Sequence, residues 1–294
     1  MSQYDTTLDL TVSNTSHAQI IDLIGGNKTV LDVGCATGYL AQALRARGCT
    51  VSGVEYDAEA AEMARPHLDL LVVGDLVTLD VESAFGDRRF DAIVLGDVLE
   101  HLADPAPVFA RLTALLAPGG SVVISVPNVA HGSLRLALLQ GRWQYRELGL
   151  LDRTHLRFFT RSSLMALLAD AGLCAVEIRT TVLDPLGCEV EVDAESLPEG
   201  IVDWVRAQRD AMTYQFVVRA VVNDAAGAAL AAARERDELR EQLADAERHA
   251  AHLDRRLQEA RATTARLMST RTMRILAAPR ALYARLRRAL SRTP

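Results

Sequence analysis

Short runs of apolar and β-branched residues alternate with segments of helical periodicity along the first three quarters of the chain. Alternation at this spacing is typical of βαβ units, in which helices join parallel strands and cover both faces of the sheet. The pattern therefore predicts a doubly wound α/β domain. The first five predicted strands cover residues 29–34, 50–55, 69–73, 90–96 and 121–126.

Helices are predicted between these strands, and several begin at residues suited to a helix start. Thr15 and its neighbours cap the first helix, and Pro105 opens the fourth. Residues 127–160 show weak periodicity, so we expect a long irregular connection that carries function. The remaining predictions are helices at 17–24, 39–47, 58–65, 105–116, 162–171 and 201–209, and strands at 174–182 and 214–222.

Composition and charge argue against several other classes of protein. The 294 residues are 49% hydrophobic, enough for one large core, and the net charge of −6 gives no general attraction to nucleic acid. The four cysteines are widely spaced, unlike those of a zinc ribbon or a disulfide framework. The first residues lack the features of a signal peptide, and no apolar run is long enough to span a membrane. We therefore expect a cytoplasmic protein.

The segment VLDVGCATGYLAQAL, residues 30–44, is the most informative for function. A strand leads through Asp32, Gly34 and Gly38 directly into a helix. Glycines there let the backbone bend and approach a ligand, and the start of the next helix offers free N–H groups. A dinucleotide site favours glycine where this chain has Ala36, and it does not account for Asp32. A ligand with an ammonium group would account for that carboxylate.

Acidic residues also follow the next three predicted strands. Glu55, Asp75 and Asp97 stand at the ends of strands two, three and four. The carboxyl ends of parallel strands share one edge of the sheet, which is where open α/β sheets bind ligands. Any one acidic residue could simply cap the following helix, as we expect for Asp57. Together with Asp32 and the glycine loop, however, they predict a ligand site.

The segments VLDVGCATG, VEYD, VGDL, FDAIVLGDVLEHL and LLAPGGSVVISVPN, in this order, resemble the class I S-adenosylmethionine-dependent methyltransferases. The likeness covers residues of about 14–222. It implies a seven-stranded, mostly parallel Rossmann-like sheet with an antiparallel hairpin at one end, and S-adenosylmethionine as cofactor. The residues implied to bind this cofactor are Asp32, Gly34, Ala36, Gly38, Glu55, Asp75, Leu76 and Asp97.

The resemblance also implies a role for most of these residues. Asp32 and the loop 34–38 would hold the methionine part, and Glu55 the ribose. Asp75 and the backbone of Leu76 would hold the adenine. Alanine at position 36 departs from the glycine common in the family, although its methyl group is tolerated in many relatives.

Methyl transfer to a hydroxyl requires the acceptor to be aligned and its proton to be removed. His101, His131 and His155 follow the fourth and fifth predicted strands and are candidates for the base. We expect His155 to be the base, with Asp152 orienting its imidazole, and His131 to be the alternative. His101 would support the cofactor loop. Each of these histidines could instead be purely structural.

A weaker resemblance concerns the acceptor. The segments PNVAHGSLRLALLQGRW and GLLDRTHLRFFTRSSL resemble bacterial small-molecule and sugar methyltransferases of cell-envelope glycan assembly. This implies O-methylation of a saccharide or another small hydroxyl-bearing acceptor. Trp143 and Tyr145 would then be stacking faces for a sugar ring, although Trp143 could equally belong to the core. Acidic residues and histidines could converge on a metal ion, but no ligand spacing requires one, and we predict no metal site.

Two other classes of protein fit part of this sequence. An NAD(P)-dependent Rossmann oxidoreductase would share the fold and Glu55, but it would favour the intact dinucleotide glycine pattern. A non-catalytic scaffold would bind the cofactor and act through the C-terminal helix. Binding of each cofactor and a test for product formation would separate these classes.

The chain beyond the predicted domain of residues 1–222 has a different character. Leucine or alanine recurs at heptad spacing within 223–269, which predicts a coiled coil and a homo-oligomer, or else a solitary charged helix. Residues 270–294 contain seven arginines and no acidic residue. They predict a basic amphipathic segment at an anionic membrane surface, giving peripheral attachment to the inner face of the membrane, or packing on the acidic domain.

Overall fold

The computed structural model describes residues 12–269, which contain a seven-stranded sheet with the order β3-β2-β1-β4-β5-β7-β6. Strands β1 to β5 pair in parallel, and β7 lies antiparallel between β5 and β6. This confirms the predicted mostly parallel sheet with an antiparallel end. The strands are β1 (Thr29–Val33), β2 (Thr50–Glu55), β3 (Leu70–Val73), β4 (Phe90–Gly96), β5 (Leu116–Pro127), β6 (Leu173–Val182) and β7 (Thr213–Val222).

Most of the helices connect strands, as predicted. The first is capped by Thr15, whose side chain accepts from the N–H of Ala18, and the third by Asp57, which confirms the expected cap. The α-helices are α1 (Ser16–Ile24), α2 (Tyr39–Ala46), α3 (Ala58–Ala64), α4 (Val81–Phe85), α5 (Pro105–Thr113), α6 (Gly132–Leu139), α7 (Arg161–Asp170), α8 (Ile201–Arg206) and α9 (Ala225–Ser269).

Hydrophobic layers cover both faces of the central strands. Leu31 and Ile93 belong to the layer that includes α4, α5 and α7. Val30 and Val94, their neighbours along the chain, belong to the layer that includes α1 and α2. Strands buried on both faces need apolar residues at nearly every position, which is why their sequences are continuous apolar runs.

The structure corrects several predicted boundaries. Strand β5 begins at Leu116, earlier than expected, because Leu116 pairs with Phe90 before an irregularity shifts the register. Helix α5 consequently ends at Thr113. Part of the stretch predicted to be irregular forms α6, where weak periodicity hid a helix buried on several sides. Helix α4 was not predicted, and α8 ends at Arg206, three residues early.

Helix α9 is continuous over 45 residues, which confirms the predicted C-terminal helix. The chain divides into two compact units between Arg234 and Glu235. In the second unit the leucines of the heptad pattern are exposed, and the coiled coil stays a prediction. The basic segment 270–294 lies outside the described residues. No helix between residues 12 and 269 combines the length and the apolar character needed to cross a membrane.

Candidate active site

The predicted ligand-binding residues gather at the carboxyl edge of the parallel strands. The loop after β1 is fastened to β2, because the N–H groups of Gly34 and Cys35 both donate to the carbonyl of Val54, at 2.8 and 3.1 Å. The N–H of Gly38 then donates to the carbonyl of Cys35 at 2.9 Å. These bonds form a tight turn from which α2 begins directly.

Gly34 and Gly38 both occupy places where a side chain would not fit. Their φ angles of +72° and +82° lie in the left-handed region that favours glycine. A Cβ on Gly34 would lie 2.9 Å from Cγ2 of Val98, and one on Gly38 would lie 2.8 Å from Cα of Ala64. The loop therefore lies against the segment after β4 on one side and against α3 on the other.

Glu55 shapes this loop through its side chain. Its Oε2 accepts a hydrogen bond of 2.7 Å from the N–H of Ala36. Its Oε1 accepts bonds of 2.9 Å from the N–H groups of Tyr56 and Asp57. Glu55 thus stands at the strand end predicted to bind ribose, and it also organises the loop, a role that the sequence did not indicate.

Asp32 is buried in β1 and exposes 3% of its surface. Its Oδ2 has no hydrogen-bond partner among residues 12–269. Burial, together with the nearby charge of Glu55, raises the pKa of Asp32 to about 7. Oδ2 of Asp32 is therefore free to accept a hydrogen bond from a ligand. Such a bond would be favourable, because a buried acceptor without a partner costs free energy.

The turn after β3 carries Asp75 and Leu76. Oδ1 of the exposed Asp75 accepts from the N–H of Val77 at 2.8 Å. The guanidinium of Arg111, on α5, donates to the carbonyls of Leu76 and Leu79 at 2.9 and 2.7 Å. This cation holds the predicted adenine-binding turn against the rest of the domain.

Asp97 joins three strands at the same edge. It has a φ angle of +54°. Its Oδ1 accepts from Oγ of Ser125, on β5, at 2.9 Å and from Nε2 of Gln215, on β7, at 3.0 Å. The carboxylate is therefore held at a fixed place in the site, in the segment that lies against Gly34.

His17 and Tyr39 also belong to this region, although the sequence did not single them out. Nε2 of His17 and the hydroxyl of Tyr39 are 3.2 Å apart. The pKa of Tyr39 is raised by burial and by the charges of Asp32 and Asp97, and that of His17 is lowered by burial and partly restored by Asp97. His17 lies on α1, ahead of the sheet, so only tertiary packing reveals its place.

His131 has a structural environment. Its imidazole is fully buried, and both ring nitrogens have partners: Oγ of Ser133 at 2.8 Å and the carbonyl of Leu183 at 3.0 Å. Burial lowers its pKa. A base needs a free lone pair that faces the acceptor, so this arrangement does not favour the role that we predicted for His131 as the alternative base.

His155 lies with His101 and Glu100 near the end of β4. The rings of His101 and His155 have centroids 5.0 Å apart, and Nδ1 of His155 has no hydrogen-bond partner among the described residues. Burial lowers the pKa of His155, and His101 lowers it further. Burial also raises the pKa of Glu100 well above its usual value, aided by the charge of Asp97.

Asp152 does not orient His155 in the way the sequence predicted. Its Oδ1 instead accepts from the N–H and the hydroxyl of Thr154, at 2.7 and 2.6 Å. The N–H of His155 donates to the backbone carbonyl of Asp152 at 3.1 Å. Asp152 therefore fixes the backbone turn that carries His155 and acts on the imidazole through its charge.

A row of aromatic rings extends from these histidines to the surface. Phe158 lies 6.4 Å from the ring of His155 and 5.6 Å from that of Trp143. Trp143 in turn lies 6.3 Å from Tyr145. Trp143 and Tyr145 are 37% and 53% exposed, so neither belongs to the core. The edge of the sheet thus combines a polar glycine-loop site with an adjoining aromatic surface.

Comparison of the chain with known proteins shows the family to which it belongs. The sequence profile described as "Methyltransferase domain" matches residues 15–178, more than half of the chain. A protein named ubiquinone biosynthesis O-methyltransferase from Thiobacillus denitrificans is 32% identical over 58% of this chain and 74% of its own length. A protein of the same name from Stutzerimonas stutzeri is 29% identical over 57% and 74%.

Solved structures agree on the fold. A SAM-dependent methyltransferase from Archaeoglobus fulgidus aligns with a TM-score of 0.52 at 17% identity, covering 72% of this chain and 94% of the other. The CcbJ methyltransferase from Streptomyces caelestis aligns with a TM-score of 0.50 at 18% identity, covering 75% and 95%. The fold is thus the Rossmann-like fold of class I methyltransferases. The chain belongs to the methyltransferase-domain family and is an S-adenosylmethionine-dependent enzyme.

The residues at the sheet edge fit this cofactor. S-adenosylmethionine supplies an electrophilic methyl group on a sulfonium. The unpartnered Oδ2 of Asp32 suits an ammonium donor, and the backbone of Gly34, two residues further along the chain, is exposed. Glu55 and Asp75 provide carboxylates at neighbouring strand ends. We assign the methionine, ribose and adenine parts to these residues as a proposal, following the sequence prediction.

Proposed function

We propose that this methyltransferase transfers the methyl group to a hydroxyl oxygen of a small acceptor that carries a ring. The observation that supports this most directly is the pair of imidazoles beside the cofactor loop. His101 and His155 lie in contact, and the segment containing Asp97 and Val98, next to His101, packs against Gly34. Methyl transfer to a neutral hydroxyl requires removal of its proton, and an imidazole is a group that can accept a proton.

Names of the relatives support an oxygen acceptor. The proteins from Thiobacillus denitrificans and Stutzerimonas stutzeri are both named O-methyltransferases. Their names also refer to ubiquinone biosynthesis, which adds a second class of acceptor to the saccharide expected from the sequence. Both classes contain a ring.

The aromatic surface supports a ring-bearing acceptor. Trp143 and Tyr145 expose their rings, and the row through Phe158 leads to His155. Leu148 and Leu156, in the same segment, are 58% and 59% exposed. Aromatic faces bind rings through stacking, and the apolar neighbours favour an acceptor with an apolar part. We assign this segment, residues 143–158, to acceptor binding.

Each group of residues then has a distinct task. Asp32, Glu55 and Asp75 hold the cofactor, and the aromatic segment holds the acceptor. The His101–His155 region receives the hydroxyl. Because His155 is kept neutral by burial and by the neighbouring imidazole, it is in the form that can accept a proton or bind an electrophile.

The purified full-length chain can be tested with S-adenosylmethionine carrying a trideuterated methyl group. It is incubated separately with a saccharide and glycolipid extract and with an extract of quinones and phenolic lipids. Untargeted mass spectrometry then searches for products that carry the label. A labelled ether in one extract identifies the acceptor class. Labelled amines or thioethers without any labelled ether would contradict the proposal, and binding of cofactor without any product would favour a non-catalytic scaffold.

A further inference from the structure

Glu100, His101 and His155 each place one donor atom in a small common region, where these atoms lie within 4.8 Å of one another. In residues 12–269, four buried side-chain polar atoms have no hydrogen-bond partner, and two of them are Oε2 of Glu100 and Nδ1 of His155. Glu100 exposes only 1% of its surface. A buried carboxylate and a buried imidazole nitrogen are therefore both unsatisfied at the same place.

We propose that these three side chains bind a divalent first-row transition-metal ion, and that an open position on the ion holds the acceptor hydroxyl. This inference rests on the proposed O-methyl transfer. Two imidazoles and one carboxylate suit such ions, and three protein ligands leave positions open for a substrate. Ligand bonds of about 2.0–2.2 Å place ligand atoms roughly 3–4 Å apart, so only small side-chain shifts are needed.

The hydrogen bonds around His101 match those of a metal ligand. Its Nδ1 lies 3.3 Å from the carbonyl and 3.2 Å from the hydroxyl oxygen of Thr154. The carbonyl can only accept and the hydroxyl hydrogen is directed to Asp152, so Nδ1 carries the hydrogen. Nε2 then keeps its lone pair. Thr154 is itself fixed by its hydroxyl, which donates to Asp152. A ring nitrogen held by a carbonyl, with a further carboxylate behind it, sets the tautomer and the orientation of a metal-binding histidine.

Backbone contacts bring His155 to its partners. The carbonyl of Glu100 accepts from the N–H groups of Leu156 and Arg157, at 2.8 and 3.0 Å. These bonds fix the segment after β5 against the turn after β4. The cluster therefore joins two distant parts of the chain, which is why the spacing of residues in the sequence predicted no metal site.

The charges near Glu100 also favour a cation. Asp97 and Asp152 both act on its carboxyl group as like charges. A divalent ion would offset these charges and would provide a partner for both unsatisfied atoms. The competing explanation is a direct hydrogen bond from a protonated Glu100 to Nδ1 of His155, and it predicts that no ion binds.

A bound ion would act as a Lewis acid on the acceptor. It lowers the pKa of a coordinated hydroxyl, so the O–H bond breaks and the proton passes to solvent water. The oxygen then forms a bond to the methyl carbon while the sulfur–carbon bond breaks, leaving a neutral thioether. No oxidant or reductant is involved. In this arrangement His155 acts as a ligand, and its unpartnered nitrogen is used by the ion.

The test measures binding of Mn²⁺ and Zn²⁺ to the full-length chain after treatment with a chelator, by isothermal titration and, for Mn²⁺, by electron paramagnetic resonance. We expect one ion per chain. Affinity should fall at least about 100-fold in Glu100→Gln and in His155→Ala, since even loss of an outer-shell partner costs about 10–100-fold. His67→Ala is the matched control, because His67 precedes β3 and so lies at the opposite edge of the sheet.

Circular dichroism and cofactor affinity establish that each variant is folded. Absence of stoichiometric binding, or equal binding in wild type and Glu100→Gln, would overturn the proposal. The binding measurement needs no acceptor, so it tests the metal site separately from the proposed function. If the chain binds the ion but methylates no hydroxyl, the metal site stands and the proposed function is wrong. Conversely, if O-methylation is unchanged after complete removal of metal, the proposed function stands and the role of the ion in the reaction is wrong.

Discussion

Oε2 of Glu55 accepts a hydrogen bond of 2.7 Å from the backbone N–H of Ala36, and Ala36 has a φ angle of +46°. An alanine in the left-handed region is strained by its Cβ, at a cost of about 1–2 kcal/mol. The hydrogen bond from Ala36 and the tight turn on either side keep the loop in this conformation. The cofactor loop is thus formed against a local backbone preference, and Glu55 is part of what enforces it.

Ala36→Gly should therefore stabilise the protein. Glycine removes the strain and keeps the N–H that bonds to Glu55, while its greater freedom in the unfolded chain costs about 0.5–1 kcal/mol. We expect a net gain of about 0.5–1 kcal/mol in the free energy of unfolding, measured by denaturant titration. The control is Ala41→Gly within α2, which should lose at least about 1 kcal/mol, from lower helix propensity and from the loss of a buried methyl group. A loss of stability in Ala36→Gly would contradict the strain argument.

Glu55→Ala and Asp75→Ala should each weaken cofactor binding. Loss of charge-assisted hydrogen bonds costs about 1.5–3 kcal/mol. We expect the larger effect for Glu55→Ala, because this change also releases the N–H of Ala36. Calorimetric titration with S-adenosylmethionine measures both, with Glu62→Ala as a control, since Glu62 is an exposed residue of α3 paired with Arg65. Unchanged affinity in both variants would remove these residues from the cofactor site.

Cofactor affinity should depend on pH through Asp32. Its pKa is about 7 in the free protein, because burial and then the charge of Glu55 disfavour ionisation. The cofactor ammonium binds the ionised form, so affinity should increase as pH rises toward 7 and level off above it. Below 7 the dissociation constant should rise about tenfold per pH unit. Cys35 and Tyr39, which also face Asp32, stay neutral in this range because their pKa values are raised.

The control for this pH dependence is Asp32→Asn. It should bind the cofactor more weakly, with a dissociation constant that no longer varies between about pH 5.5 and 7.5. Titrations above that range are avoided because the ammonium of the cofactor itself begins to lose its proton near pH 8. A wild-type affinity that is constant across the same interval would show that Asp32 does not bind the ammonium as an ion.

His155→Ala should lower turnover, whereas His131→Ala should lower the stability of the fold. His155→Ala should lower turnover by about 100-fold or more at unchanged cofactor affinity, because it acts on the acceptor. His131→Ala should instead destabilise the fold by about 1–3 kcal/mol, since it leaves the buried hydroxyl of Ser133 and the part-buried carbonyl of Leu183 without their partner. Turnover of the folded His131 variant should stay close to wild type. Equal activity of His155→Ala and wild type would remove His155 from the reaction.

Helix α9 should drive self-association of the full-length chain. In its second half, Leu253 and Leu257 are 49% and 48% exposed, and the heptad pattern places them on one seam. Leu253→Glu together with Leu257→Glu should convert an oligomer to a monomer in analytical ultracentrifugation. Ala251→Glu, outside the seam, is the control and should leave the oligomer intact. A monomeric wild-type chain at micromolar concentration would leave a solitary helix as the correct interpretation.

The sequence by itself determined the fold class, the cofactor family and the chain positions around the cofactor loop. These features are local, because the glycines of the loop follow a strand and precede a helix, and Asp32, Glu55, Asp75 and Asp97 mark strand ends. Strands buried on both faces must be apolar, so their positions could be predicted within a few residues. The long C-terminal helix was predicted from its heptad pattern for the same local reason.

Only the tertiary structure decided which polar groups are free to act. His131 and His155 look alike in sequence, yet packing gives one imidazole two partners and leaves a nitrogen of the other with none. The meeting of Glu100 with His155, and of His17 with Tyr39, depends on contacts between segments far apart in the chain. Whether a buried polar group has a hydrogen-bond partner depends on the groups that pack around it, and the order of residues along the chain does not reveal those groups.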